Sequence, residues 1–148
     1  MCLIVSSFWH GRYPKPKIAK RNIHVWKGLM NFDNKPYLTP CRHAKILFLK
    51  GVAVQTADLQ CKTRPYETGL YYVVTEGIHA ALTKRKVRAI FNEFVPLKYQ
   101  SFHHAIIPKG SKYYMGGIFE QDIVSDQLLV FETEEAYKYY RKKNYNLA

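Results

Sequence analysis

The sequence predicts an α+β domain with a mainly antiparallel sheet and two or more helices. Three observations predict it. Short runs rich in β-branched and aromatic residues recur from end to end. Only two stretches carry helical spacing together with caps. Strands and helices do not alternate, so a parallel sheet wound by crossover helices is excluded. At 148 residues the chain forms one domain, 1–148, a size that buries roughly 70% of its unfolded surface.

The elements follow in order. Leu3-Ile4-Val5 reads as a short strand. A basic arm over about 8–22 follows, where Pro14 and Pro16 forbid regular helix and favour extended chain. Ile23 to Leu29 alternates apolar and polar residues and predicts a half-buried strand with Ile23, Val25 and Lys27 on one face. Asp33-Asn34, Pro36 and Thr39-Pro40 mark a loop. Lys45 to Lys50 is a strand that Val52-Ala53-Val54 continues, while residues 56–68 carry no period. Gly69 to Val74 and Gly77 to Leu82 are strand-like. Thr83 caps a helix in which Val87, Ile90, Phe91 and Phe94 form one apolar stripe ending near Pro96. Ser101 to Ile107 is a strand closed by a turn with Pro108 second and Gly110 fourth. Lys112 to Met115 and Leu128 to Phe131 are further strands. Thr133 caps a last helix, with Glu134-Glu135 in its first turn and Arg141-Lys142-Lys143 in its last, both matching the helix dipole.

Charge is the compositional outlier, with 23 Lys+Arg against 11 Asp+Glu and a net +12. Residues 1–50 hold ten Lys/Arg and one acid, Asp33, whereas residues 51–148 hold thirteen and ten. A basic end on a near-neutral body predicts a polyanion, an anionic protein surface, or simply solubility. Three cysteines (Cys2, Cys41, Cys61) form no CxxC pair, and an odd count suits a reducing compartment. With no signal-peptide pattern and no membrane-length apolar run, the expectation is a cytoplasmic protein, microbial or in an infected host cell, without membrane contact.

Three groups of residues are candidates for function. The first is metal: Cys41, His43, His103 and His104 are considered and set aside. Adjacent strand residues point to opposite faces, and no pair has zinc-finger spacing. The second is the first turn of the helix after Thr83. There Lys84, Arg85, Lys86 and Arg88 oppose the dipole, and a phosphate would relieve their repulsion; the alternative is a solvated basic face. The third is the arm, where Arg12, Lys15, Lys17, Lys20 and Arg21, with Lys27 beyond them, interleave with Phe8, Trp9, Tyr13 and Trp26. Cations beside stacking rings suit single-stranded nucleic acid. No P-loop, Gly-x-Gly-x-x-Gly or Gly-x-Ser-x-Gly accompanies them.

In order along the chain, four segments resemble the layout of ADP-ribosyltransferases. Val25-Trp26-Lys27-Gly28-Leu29 is similar to that family's first strand. Gly77-Ile78-His79-Ala80-Ala81, with its capped helix, lies where the family carries Ser-Thr-Ser. Ile106-Ile107-Pro108-Lys109-Gly110-Ser111 resembles its I-x-V-P-K-G-T segment. Ser125-Asp126-Gln127-Leu128-Leu129 resembles its Glu-x-Glu segment. The same strings are similar to uncharacterised small proteins of phages and prophages.

The resemblance implies a ligand site at Lys27, His79, Lys109 and Gln127, and NAD as the cofactor of any active member. The departures from the family point the other way. Lys27 stands for a phosphate-binding Arg and loses bidentate recognition. His79-Ala80-Ala81 replaces the hydroxyls. Gln127 stands for the catalytic Glu, and an amide supplies no anionic charge. Glu120, Asp122 and Asp126 are out of register. The functional expectation is therefore a non-catalytic basic protein that binds an anionic ligand or partner and uses no cofactor. The alternatives are an active NAD-dependent transferase and a single-stranded nucleic-acid-binding accessory protein.

Overall fold

A computed structural model describes residues 3–5, 15–33, 37–39, 44–66, 69–116 and 122–147. Among the described residues thirteen strands against two α-helices make the fold largely β, which corrects the α+β class expected from sequence. The strands are β1 (Leu3–Val5), β2 (Lys17–Ile18), β3 (Ile23–Met30), β4 (Tyr37–Leu38), β5 (Lys45–Ile46), β6 (Val52–Thr56) and β7 (Gln60–Tyr66). They continue with β8 (Gly69–Glu76), β9 (Ile78–Ala81), β10 (Gln100–Ile107), β11 (Lys112–Gly116), β12 (Asp122–Ser125) and β13 (Gln127–Phe131). The helices are α1 (Lys84–Phe94) and α2 (Glu134–Leu147).

The correction has identifiable causes. β7 falls in the stretch without period, and its pairing with β8, in unbroken register from Cys61 to Tyr66, is what makes it a strand. The strand expected over Lys45–Lys50 is only Lys45–Ile46, and a tight turn separates it from β6. Lys50 and Gly51 both take positive φ (54° and 81°) in that turn, with Leu49 and Val52 bonded across it. The turn after β10 closes from the Ser111 N–H to the Pro108 carbonyl at 3.1 Å. Gly110 is therefore its third residue rather than its fourth, at the position where φ is +91°. The Arg141-Lys142-Lys143 run lies one turn inside α2, which continues to Leu147.

Ten strands share one sheet in the order β2-β11-β12-β9-β3-β10-β13-β6, with β4 and β5 attached through β3. β12 and β13 stand four places apart in that order, about 19 Å on a flat sheet. Only Asp126 separates them in the chain, a link of at most about 7 Å. The sheet must therefore curl until its two halves meet. At the meeting point the Asp126 N–H donates to the Lys112 carbonyl, and the Asp126 carbonyl accepts from Ala57, both at 3.0 Å. Between the halves, β3 and β9 share the single register pair Trp26↔Ala81.

The curl sorts side chains by parity. Val25, Leu29, Ala105, Ile107, Ile123, Leu128 and Val130 face inward as the main core. The outer face has three covers. α1 packs Val87 and Phe91 on Met30 and Ala81. α2 packs Tyr137 on Ile106 and Phe131. The small sheet β1-β8-β7 brings Val74 against Tyr114 and Val124. A methyl group at Gly28 would meet Phe91 Cζ at 2.5 Å and Val87 Cγ1 at 2.7 Å, so the missing side chain is what lets α1 lie on β3. Among the described residues no helix is long and apolar enough to cross a membrane.

Candidate anion-binding site

The residues that the resemblance assigns to one ligand site are spread through the fold. β3 and β9 are neighbours, and Lys27 Nζ donates to the His79 carbonyl at 2.7 Å. The side chains do not share a groove. Lys27 has the inward parity of Val25 and Leu29 and is 6% exposed, while His79 is exposed and has the outward parity of Ala81. Gln127 and Lys109 lie at the far end of the sheet. Lys27 pairs with His103, four residues before β10 ends at Ile107, and Lys109 lies in the turn beyond that end. Gln127 Oε1 accepts instead from Ser111 Oγ at 3.4 Å. Asp122 is 3.9 Å from Lys86, Asp126 Oδ1 accepts from the Lys112 N–H at 3.0 Å, and Glu120 lies outside the described residues.

His103 and His104 take opposite faces, as expected. His103 is buried inside against Tyr37 and Phe48, with Nε2 2.6 Å from Ser101 Oγ and Nδ1 3.0 Å from the Phe131 carbonyl. Burial holds its pKa below the usual 6.5, opposed by the Phe131 and Glu132 backbone bonds and the Glu132 charge. Among the described residues no three His, Cys, Asp or Glu side chains gather as metal ligands, and Cys41 and His43 lie outside those residues.

The cations of the α1 first turn diverge. Thr83 caps the helix as expected, its Oγ1 accepting from the Lys86 N–H at 3.2 Å. Lys84 and Arg88, one turn apart, both lean toward the sheet, over Trp26 at 5.3 Å and Phe102 at 5.7 Å. Lys86 turns away to Asp122, and Arg85 is exposed. Four cations that face different neighbours do not form one phosphate cradle. Trp26, counted with the arm in the sequence, is instead one layer of a packed stack. Its ring lies 3.9 Å from His104, which lies 4.0 Å from Tyr137, and the Arg141 guanidinium lies over the Tyr137 ring at 5.5 Å.

The arm finds company that the sequence does not show. Lys15, Lys17, Lys20 and Arg21 are exposed, while Arg12, Phe8, Trp9 and Tyr13 lie outside the described residues. Lys17 and Ile18 pair with Tyr113 and Lys112 of β11. Ala19 is buried, its N–H donating to the Ser111 carbonyl and its carbonyl accepting from Gly110, both at 2.8 Å. Asn22 Oδ1 accepts from the Lys109 N–H at 2.9 Å. The β10–β11 turn is thereby docked on the arm, and exposed Lys109 and Lys112 join the arm cations on one margin of the sheet. Lys112 and Asn22 carry no motif. Their only sequence signal is position, beside a Pro-Gly turn and at the end of a basic run.

No protein family, curated protein or solved structure matches this chain.

Proposed function

We propose that this protein binds an anionic partner, without catalysis, through the margin built by β2 and the β10–β11 turn. The observation that supports the reading is the docking of the turn on the arm through Asn22 and Ala19. It brings exposed Lys109 and Lys112 to the margin that carries exposed Lys15, Lys17, Lys20 and Arg21, which lie far earlier in the chain. Lys112 pairs with Ile18 and so takes the face opposite Lys17, and an anion that runs along the margin meets cations from both faces. The divergence of Lys27, His79 and Gln127 supports a binding role over NAD chemistry.

Titration with inorganic polyphosphate tests the reading, followed by tryptophan fluorescence or calorimetry. Saturable binding that weakens with salt, and weakens further in a Lys17→Gln/Lys20→Gln/Arg21→Gln variant, is the expected result. Binding that ignores those substitutions would place the anion elsewhere. Transfer of label from NAD to protein would favour the transferase instead.

A further inference from the structure

We infer that the anion taken by this margin is the phosphodiester backbone of a nucleic acid, gripped along two rows of cations. The inference rests on the proposed anion-binding function and narrows it. One row is the arm, with Lys15 and Lys17 two residues apart, so that their Cα atoms stand about 6.6 Å from each other on extended chain. The other is Lys109 and Lys112, brought to the same margin by the Lys112↔Ile18 pair and the Asn22 contact, with Lys112 on the face opposite Lys17. The result is an elongated strip, which suits a polymer with one charge per repeat better than a compact anion.

The strip also discriminates between polymers. Stable protein interfaces have a core poor in charge and rich in aromatic or aliphatic anchors. Here Ile18, 61% exposed, is the large apolar side chain among the cations. A phosphate backbone needs no such core, since its affinity comes from counterion release. Cations on both faces of a sheet margin remain open to a strand that runs along it. Among the described residues no base-reading element accompanies them, so recognition is expected to be indifferent to sequence.

The test uses the intact chain and four probes: fluorescein-labelled oligo-dT of twenty nucleotides, a twenty-base-pair duplex, polyglutamate and inorganic polyphosphate. Anisotropy is read from 50 to 200 mM salt. Six phosphate contacts predict a slope of log K against log salt of about −4 on the single strand, or roughly a 300-fold loss over that range. Lys109→Gln/Lys112→Gln removes two contacts and narrows the loss to about 50-fold. Both side chains are exposed, and the bonds that dock the turn come from backbone N–H groups, so the variant keeps the fold.

A twofold preference or less between oligo-dT and a mixed-sequence strand is also expected. The duplex arm decides whether the backbone is bound single or paired, and tight binding to either supports the inference. Equal or tighter binding of polyglutamate would identify an acidic protein and overturn it, leaving the anion-binding function standing. Preference for polyphosphate over both nucleic acids would do the same. Oligonucleotide binding that keeps its full slope in the double variant would overturn the two-row site. Failure of all four probes to bind would overturn the parent proposal as well.

Discussion

The two margins of the large sheet are built on opposite principles. β2 is two residues long, follows Pro16, and is surrounded by Lys15, Lys17, Lys20 and Arg21. β6, the last strand at the other margin among the described residues, is Val52-Ala53-Val54-Gln55-Thr56 and carries no charge. Val54 is 70% exposed there, and Leu47 and Leu49, on the segment between β5 and its turn, are 74% and 78% exposed. Gln55 Oε1 is buried on the same strand without a hydrogen-bond partner. Short length, lysine and proline deter a second sheet from pairing, whereas an uncharged apolar margin invites it. The difference gives β2 charges that keep strands away, and under the proposed function the same cations draw anions in, while β6 has no such protection.

The contrast is broken hardest from beneath β6. β13 pairs with β6, and its Phe131, 1% exposed, packs against Tyr137 and Tyr140 of α2. Phe131→Ala should lower unfolding stability by about 3–5 kcal/mol, from lost burial plus the cavity. Urea denaturation reads it. Anion binding by the protein that remains folded should keep its salt slope, because the β2 margin does not rest on that ring.

A smaller effect separates the halves of the curl. Gly28→Ala sets a methyl group against Phe91 and Val87, and should cost about 1–3 kcal/mol as α1 is pushed from β3 and β9. Leu or Val at Phe91 in the same chain should recover part of the loss. If Gly28→Ala alone is neutral, the seating of α1 described above is wrong.

Acid tests the histidines, which sit away from both margins. Burial holds His24, His103 and His104 below the usual 6.5; Arg141 and His104 add to it at His24, while Glu134 opposes it at His104. A depressed histidine binds its proton more readily unfolded than folded. Stability is therefore full above pH 6.5 and falls as the pH drops through the lower folded values. Burial also raises Asp122, opposed by Lys86, and its contribution runs the other way, being lost as the pH rises through its folded pKa. Between pH 7 and 5.5 the three histidines decide the sign. His103→Gln should flatten the fall most, because His103 is the most buried of them; an unchanged pH profile would contradict this account.

The smallest expected change in stability is the sharpest probe of the comparison. Val54→Lys, at an exposed position, should move unfolding stability by no more than about 0.5 kcal/mol. It gives β6 the charge that β2 already has, and should reduce any concentration-dependent self-association seen by light scattering. The reverse change, Lys17→Val with Lys20→Val, should increase it. Equal self-association in all three proteins would mean that neither margin pairs.

What the sequence determined by itself was local. Thr83 and Thr133 cap the two helices because their hydroxyls accept from N–H groups three residues on. Alternation over Ile23–Leu29 already assigns Val25 and Lys27 to one face, and the opposition of His103 to His104 needs no more than the two-residue period of a strand. The basic arm is plain in composition. Pairing over long separations decided the rest. The β7 segment has no period, yet β8 makes it a strand, and one residue at Asp126 carries the chain between the two halves of the sheet. The candidate site belongs to this second kind. Lys109 and Lys112 lie far along the chain from Lys17, and neither charge nor spacing announces their meeting. It occurs because β11 needs a hydrogen-bonding neighbour at its open side and Asn22 accepts from the turn above it. Such partners are chosen by the geometry of the whole sheet, which no stretch of sequence contains.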